Sequence, residues 1–281
     1  MEIFSKKFPK AYRNFLKKHK FNLDSLPTTD KKNYISKYKL EDHFLNGKIP
    51  PMIYASSGSS GQPTFWFRGD EQEKIGGETH RVILDKIFGI RKKDSTLVVI
   101  CFSMGVWVAG NYTLASFREI SRKGYNLSTV TPGTEKEDIL NVLKNLAPKF
   151  ENLILTGYPP FIMDIVSESV KAGIKFKNKK IKIITAGDKF PERWRSDTLR
   201  LLNINDSHHN SIVSIYGSAD VGIIGHETPL TIFLRKKALS NGALSQELFG
   251  VVSGAEEPAI VQYNPSQIKF ETAGEELVLT V

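Results

Sequence analysis

From Thr96 onward the chain alternates apolar, β-branched runs with amphipathic ones, and this rhythm constrains the fold more than any other feature of the sequence. The runs "TLVVICF" from Thr96, "YNLSTV" from Tyr125, "NLILT" from Asn152, "IKIIT" from Ile181 and "SIVSIY" from Ser211 recur roughly every 30 residues. That is the repeat of a strand, a crossover helix and the next parallel strand. Between them, "EKEDILNVLKNLA" follows Thr134 as its cap, and "PERWRSDTLRLLN" carries Pro191 at a first-turn position, both helix-start signals. The pattern predicts an α/β fold: a doubly wound, mostly parallel sheet of βαβ units, with functional residues just past the carboxyl ends of its strands. After Tyr216 the short runs "PAIVQYN", "QIKFET" and "EELVLT" predict a C-terminal antiparallel appendage.

No apolar run approaches the roughly 20 residues of a membrane span, and the opening "MEIFSKKFPKAYRNF" lacks the apolar core of a signal peptide. A cytoplasmic protein with no membrane partner is expected. The single cysteine, Cys101, lies in an apolar run, which excludes an internal disulfide and reads as a buried, inert thiol. Of the net charge of +9, most sits in residues 1–40, which hold 11 Lys/Arg against 3 Asp/Glu. Such an arm suits either a polyanion or acidic carrier protein, or the solvated face of amphipathic helices. Its aromatics (Phe4, Phe8, Tyr12, Phe15, Phe21) are spaced helically, which favours packing over base stacking.

Between two strand-like runs, "PPMIYA" and "TFWFRGD", lies "SSGSSGQPT". A strand–loop–strand rich in Gly and Ser offers uncrowded backbone N–H groups and hydroxyl donors, as a phosphate cradle needs; a flexible turn has the same composition. It is neither a Walker loop nor a dinucleotide fingerprint, lacking the G-K-[ST] ending and a helix opening at the last glycine. Some 150 residues later, "SIYGSADVG" sets Tyr216 and Gly217 at the close of a strand with Asp220 three residues on. A Tyr face can stack on a purine, Gly admits close approach, and a carboxylate can hold Mg²⁺; the alternative is a core-capping tyrosine and a solvated aspartate.

Together these motifs resemble the adenylate-forming superfamily. "SSGSSGQPT" is similar to its Ser/Thr/Gly phosphate loop and "YGSAD" to its Tyr-Gly-x-Thr-Glu motif, and the Pro-Thr loop ending resembles the phenylacetate–CoA ligase branch. "FSMGVWVAG" resembles that branch's acyl-pocket segment, "TAGDKF" its Gly-Ala-Glu-Pro-Trp segment beside the nucleotide, and "AGEELVLTV" the strand before its hinge. The resemblance covers about residues 50 to 281, most closely at the first two motifs. It implies ATP-dependent activation of a carboxylic acid to an acyl-adenylate, then transfer to a thiol, either coenzyme A or an acyl-carrier protein.

By that resemblance Ser57, Gly58, Ser59, Ser60 and Gly61 hold the ATP phosphates. Tyr216, Gly217, Gly187 and Asp188 bind adenine, and Asp220 holds Mg²⁺. Phe102, Gly105, Trp107 and Gly110 shape the acyl pocket, with plain core as the even alternative for the aromatics. Departures from the pattern are Ala219 in place of Thr, Asp220 in place of Glu, Ala186 in place of Gly and Lys189 in place of Pro. The implied organisation is one large N-terminal adenylation domain over 1–281: a basic helical arm over 1–50, an α/β core over 51–216 and a β-rich part over 217–281. The small C-terminal domain with its catalytic lysine has no counterpart, so no catalytic residue is assigned. A non-catalytic module binding nucleotide or acyl-adenylate is the second reading. His208 and His209 read as a surface turn, and His226 with Glu227 as residues near the substrate site; nucleic acid is not an expected partner.

Overall fold

The computed structural model describes residues 8–19, 27–56, 63–176, 180–250, 257–274 and 276–280. In chain order these form α1 (Lys10–Lys18), β1 (Met52–Ser56), β2 (Thr64–Arg68), α2 (Asp70–Val82), β3 (Thr96–Cys101), α3 (Val108–Arg122), β4 (Leu127–Val130) and α4 (Lys136–Asn145). They continue as β5 (Asn152–Gly157), α5 (Pro159–Lys171), β6 (Lys180–Ala186), α6 (Glu192–Leu201), β7 (Ile212–Ser218), β8 (Gly222–His226), α7 (Pro229–Leu239), α8 (Gly242–Phe249), β9 (Gln262–Tyr263), β10 (Lys269–Ala273) and β11 (Glu276–Thr280). Two compact units result.

The smaller unit holds the described residues up to Ile53, with Phe67–Gly69 and Lys269–Thr280. On α1, Ala11, Phe15 and Leu16 are buried while Lys17 and Lys18 sit in the last turn, where cations suit the helix dipole. The helically spaced aromatics engage one another: Tyr12 and Phe15 stack at 6.3 Å, and Tyr34 meets both edge-on at 6.0 and 5.7 Å. Burial, helped by Tyr12 and Tyr38, pushes the Tyr34 hydroxyl up to about 12. The rings of this arm thus pack together, and Phe4 and Phe21 lie outside the described residues. In the same unit β10 pairs antiparallel with β11, Lys269 opposite Thr280.

The larger unit holds Tyr54–Trp66 and Asp70–Ile268 and contains a seven-stranded sheet in the order β4-β3-β5-β6-β7-β8-β9. The first five are parallel, and β8 and β9 close the edge antiparallel. Strands buried on both faces read as unbroken apolar runs, which is why "TLVVIC" is buried throughout. Alternate side chains divide between two cores. Leu97, Val99, Cys101, Leu155 and Ile183 pack with Ile139, Leu143, Ile162, Ile165 and Leu199 from α4, α5 and α6. Val98, Ile100, Ile154, Ile184 and Val213 pack with Phe117 and Ile120 from α3 and with Ile83, Leu84 and Ile87. The sheet is therefore covered on both faces, as the alternation predicts.

Three local expectations are corrected. Thr134 does not cap α4; Glu135 precedes its first turn without a side-chain cap bond. Pro191 stands at the N-cap of α6, one residue outside the helix, where its missing N–H costs no helical bond. Tyr216 and Gly217 do not close β7: the strand continues to Ser218 and turns back into β8, with a bulge between Tyr216 and Gly217. The antiparallel run "PAIVQYN" contributes β9 to the main sheet, and α7 and α8 intervene between β8 and β9.

Candidate functional site

The parallel registers align Cys101 with Gly157 and Gly157 with Thr185, and Ala186 with Ile215. The segments leaving β3, β5, β6 and β7 therefore emerge at one edge, the carboxyl edge where such sheets bind ligands. Gly187 and Asp188 leave β6, and Tyr216 and Gly217 lie on its neighbour β7. At a strand spacing of about 4.8 Å, β3 with Phe102 lies three strands, or roughly 14 Å, from β7 with Tyr216. The edge thus gathers the adenine and acyl-pocket residues expected from sequence, separated along it in two groups.

Tyr216 is 51% exposed, an open aromatic face able to stack. Gly217 has a packing reason of its own: a Cβ there would meet the Gly222 carbonyl oxygen at 2.4 Å. Gly187 takes φ +94°, in the left-handed region that favours glycine. Asp188 is exposed; its Oδ2 accepts from the Tyr158 hydroxyl at 3.0 Å and its Oδ1 from the Lys189 amide at 2.8 Å. Asp220 lies in the turn between β7 and β8, where its carboxylate accepts from the Ser218 hydroxyl and, at 3.0 Å, from the Val221 amide. Among the described residues no three His, Cys, Asp or Glu converge as a metal cluster.

Ser57, Gly58, Ser59, Ser60 and Gly61 lie outside the described residues. Their flanks do not: the Ser56 hydroxyl donates to the Thr64 carbonyl at 3.4 Å, and the Ala55 amide donates to the Val106 carbonyl at 2.7 Å. The base of the Gly/Ser stretch is thereby joined to the segment that leaves β3. In that segment Phe102 packs into the core, which is the core alternative at that position, whereas Trp107 is 40% exposed at the N-cap of α3. Gly105 has φ +72°, and Gly110 lies so close to Ser103 that a Cβ would come within 2.5 Å of its carbonyl oxygen.

Glu227 does not line an open site. It is 1% exposed and accepts two bonds from Arg195 Nη2 at 2.8 Å and one from the Ser214 amide at 2.8 Å. Arg195 also donates from Nε to Glu192 at 2.9 Å, and Arg235 Nη1 reaches Glu192 at 2.9 Å. Arg195 Nη1 donates to Ile212 O and Arg235 Nη2 to Phe190 O, each at 2.5 Å. Burial by itself lowers the Arg195 pKa, but Glu227 and Glu192 more than offset it and the group is held raised. This charged cluster ties the loop after β6 to β7 and to the end of β8. His226 Nδ1 lies 2.9 Å from Glu227 O, and His209 is partly buried with Nδ1 3.3 Å from Lys236 Nζ. Cys101 is buried, and burial pushes its thiol up to about 12.

Sequence reasoning missed Tyr158 and the buried cluster. The signal for Tyr158 was its place directly after β5 and before the Pro159–Pro160 pair that opens α5. For the cluster it was the position of Arg195 and Arg235 on buried faces of α6 and α7, beside Leu199 and Ile232.

The mixed α/β architecture, with its mostly parallel sheet and antiparallel pairs, is a fold shared with part of a solved CoA ligase. Among solved structures, 2-hydroxyisobutyryl-CoA ligase in complex with 2-HIB-AMP and CoA in the thioesterification state matches with TM-score 0.60 and 14% identity, over 79% of this chain and 48% of that one. An open conformation of the same ligase with 2-HIB-AMP and CoA matches with TM-score 0.57 and 13% identity, over 76% and 46%. The chain thus spans about half the length of that ligase. No protein-family model matches the chain, and no curated protein does. Among the described residues no helix is long and apolar enough to cross a membrane.

Proposed function

We propose that this chain is the large, nucleotide- and acyl-binding domain of an AMP-forming acid–thiol ligase, of a kind resembling the phenylacetate–CoA ligases. The observation that carries the reading is the gathering of the Phe102–Gly110 segment, Gly187–Asp188 and Tyr216–Gly217 on one sheet edge, in a fold shared with a ligase holding an acyl-AMP and CoA. Tyr216 would stack on adenine, with Gly217, Gly187 and Asp188 alongside it. Ser57, Gly58, Ser59, Ser60 and Gly61 would hold the phosphates of ATP. Asp220 suits Mg²⁺ arriving with the nucleotide, since that ion commonly takes one or two carboxylates and completes its shell with phosphate oxygens and water. Gly105, Trp107 and Gly110, with Phe102 behind them, would shape the acyl side.

Adenylation of a carboxylate depends on positioning and charge neutralisation, so a chain of this kind supplies a cradle, a metal site and a pocket. The test is carboxylate-dependent exchange of labelled pyrophosphate into ATP by the full-length protein across a panel of acids. Exchange with at least one acid is expected, and none across the panel sinks the active-ligase reading. Ala219, which lacks the hydroxyl of the matching family position, favours a second reading as a non-catalytic acyl-adenylate-binding module. Tight binding of a non-hydrolysable acyl-adenylate mimic without exchange is its signature.

A further inference from the structure

We infer that Tyr158 is a positioning residue for the nucleotide base, acting by aiming the Asp188 carboxylate at an amino group of the ligand; the inference rests on the nucleotide reading of this edge. Tyr158 follows β5 and caps α5 in extended conformation, φ −69° and ψ 134°, with Pro159 and Pro160 opening the helix behind it. Its backbone is thus fixed on both sides. Its ring lies against the exit of β6, since a Cβ placed on Gly187 would meet Tyr158 Cδ2 at 3.6 Å. Its hydroxyl holds Asp188 Oδ2 at 3.0 Å, while the Lys189 amide holds Oδ1 at 2.8 Å.

Each carboxylate oxygen therefore already accepts one bond and retains capacity for another. An ionised carboxylate only accepts, so the ligand group it suits is a donor. Adenine carries such a donor in its exocyclic amine. An exposed pair of this kind contributes little to folding, yet Tyr158 keeps 42% of its surface in solvent at the carboxyl edge instead of packing into a core. Its strand order places it on one side of β6, with the open ring of Tyr216 on the other. The hydrogen bond to Asp188 also raises the Tyr158 pKa, so the hydroxyl stays a donor at neutral pH.

The experiment uses the full-length protein and compares ATP with purine riboside triphosphate, which lacks only the 6-amino group, by calorimetric titration. Wild type is expected to favour ATP by about tenfold, the scale of one hydrogen bond to a charged group. Tyr158→Phe keeps the ring and removes the hydroxyl; the preference should fall several-fold toward equality while the far-UV circular dichroism and melting temperature stay unchanged. Asp188→Asn, which turns half of the acceptor into a donor, should lower the preference as well. An undiminished ratio in Tyr158→Phe overturns the positioning role, and equal wild-type affinity for the two nucleotides overturns the aim of Asp188. Wild type that binds neither nucleotide removes the site reading and this inference with it, and is distinguished by being seen with ATP before any substitution.

Discussion

The amide of Ala55 donates to the carbonyl of Val106 at 2.7 Å, and Ala55 bridges Trp107 in parallel fashion. The strand that leads into the Gly/Ser stretch is thus stitched to the segment that carries the exposed Trp107. Removing the donor with Ala55→Pro should cost about 1–3 kcal/mol through the lost bond and the misfit of proline in a paired strand. Ala55→Ser, which keeps the amide, should cost less. Urea denaturation of both variants checks the stability difference. ATP titration checks the functional half, since loosening this stitch should weaken nucleotide binding more in Ala55→Pro than in Ala55→Ser.

Gly217 belongs to the Tyr-Gly motif for a steric reason that needs no ligand. A Cβ there would stand 2.4 Å from the Gly222 carbonyl oxygen, and backbone atoms cannot yield as a flexible side chain does. Gly217→Ala should therefore push β7 and β8 apart at their bulge and cost about 1–3 kcal/mol, the usual scale of overpacking. The displacement would reach Tyr216 and Asp220 on either side, so nucleotide affinity should fall together with the melting temperature. An unchanged melting temperature would show that the hairpin can relax around the methyl group.

The Arg195, Arg235, Glu192 and Glu227 cluster sets a different expectation. Glu227 is fully buried and takes its bonds from Arg195 and from the Ser214 amide. Glu227→Ala leaves a buried guanidinium short of a partner and the part-buried Ser214 N–H without this acceptor, and should cost about 3–5 kcal/mol. Glu227→Gln keeps an acceptor oxygen and should cost less. Buried ion pairs can often be replaced by apolar residues with little loss, but Arg195 also satisfies the Ile212 carbonyl. The double variant Arg195→Met, Glu227→Leu should accordingly remain destabilised, as read by urea denaturation.

The sequence made the sheet legible because each central strand is apolar on both faces and each is followed by an amphipathic run; that pattern has few other solutions. It made the edge legible too, since Gly187, Tyr216 and Gly217 directly follow or end apolar runs. The strand ends were harder. Tyr216 reads as a terminus because the polar Ser218–Asp220 that follows it breaks the apolar pattern, whereas the antiparallel return of β8 extends β7 beyond it. The cluster around Glu227 was hard to read because, beyond the neighbouring Glu192 and Arg195, its charged members are distant in sequence, and only tertiary packing shows that they neutralise one another. Phe102 could not be assigned to pocket or core without knowing that its side chain shares the face of Val98 and Ile100.

His80 is fully buried on α2, with Nδ1 2.8 Å from the Gly76 carbonyl and its ring 5.0 Å from that of Phe117. Burial, with a smaller contribution from the charge of His226, pushes its pKa down from 6.5 to about 4, against the opposing bond to Gly76. In the unfolded chain the imidazole takes up its proton as pH falls through about 6.5, while in the folded chain it stays neutral until about 4. Between those values the unfolded state binds more protons, so stability falls with falling pH. The contribution should be intact above about pH 6.5, should be lost progressively down to pH 4, and should level off below at a total of about 3 kcal/mol. His80→Asn removes the ionisation while keeping an amide donor at the Nδ1 position for Gly76 O. Its stability, measured by urea denaturation at pH 7, 5.5 and 4.5, should decline less steeply than that of wild type over this window. Parallel declines would mean that His80 is protonated in the fold; Glu78, whose pKa is lowered to about 2 chiefly by its hydrogen bond to Arg81, loses its stabilising effect only as pH falls below about 4.5 and so leaves this window clear.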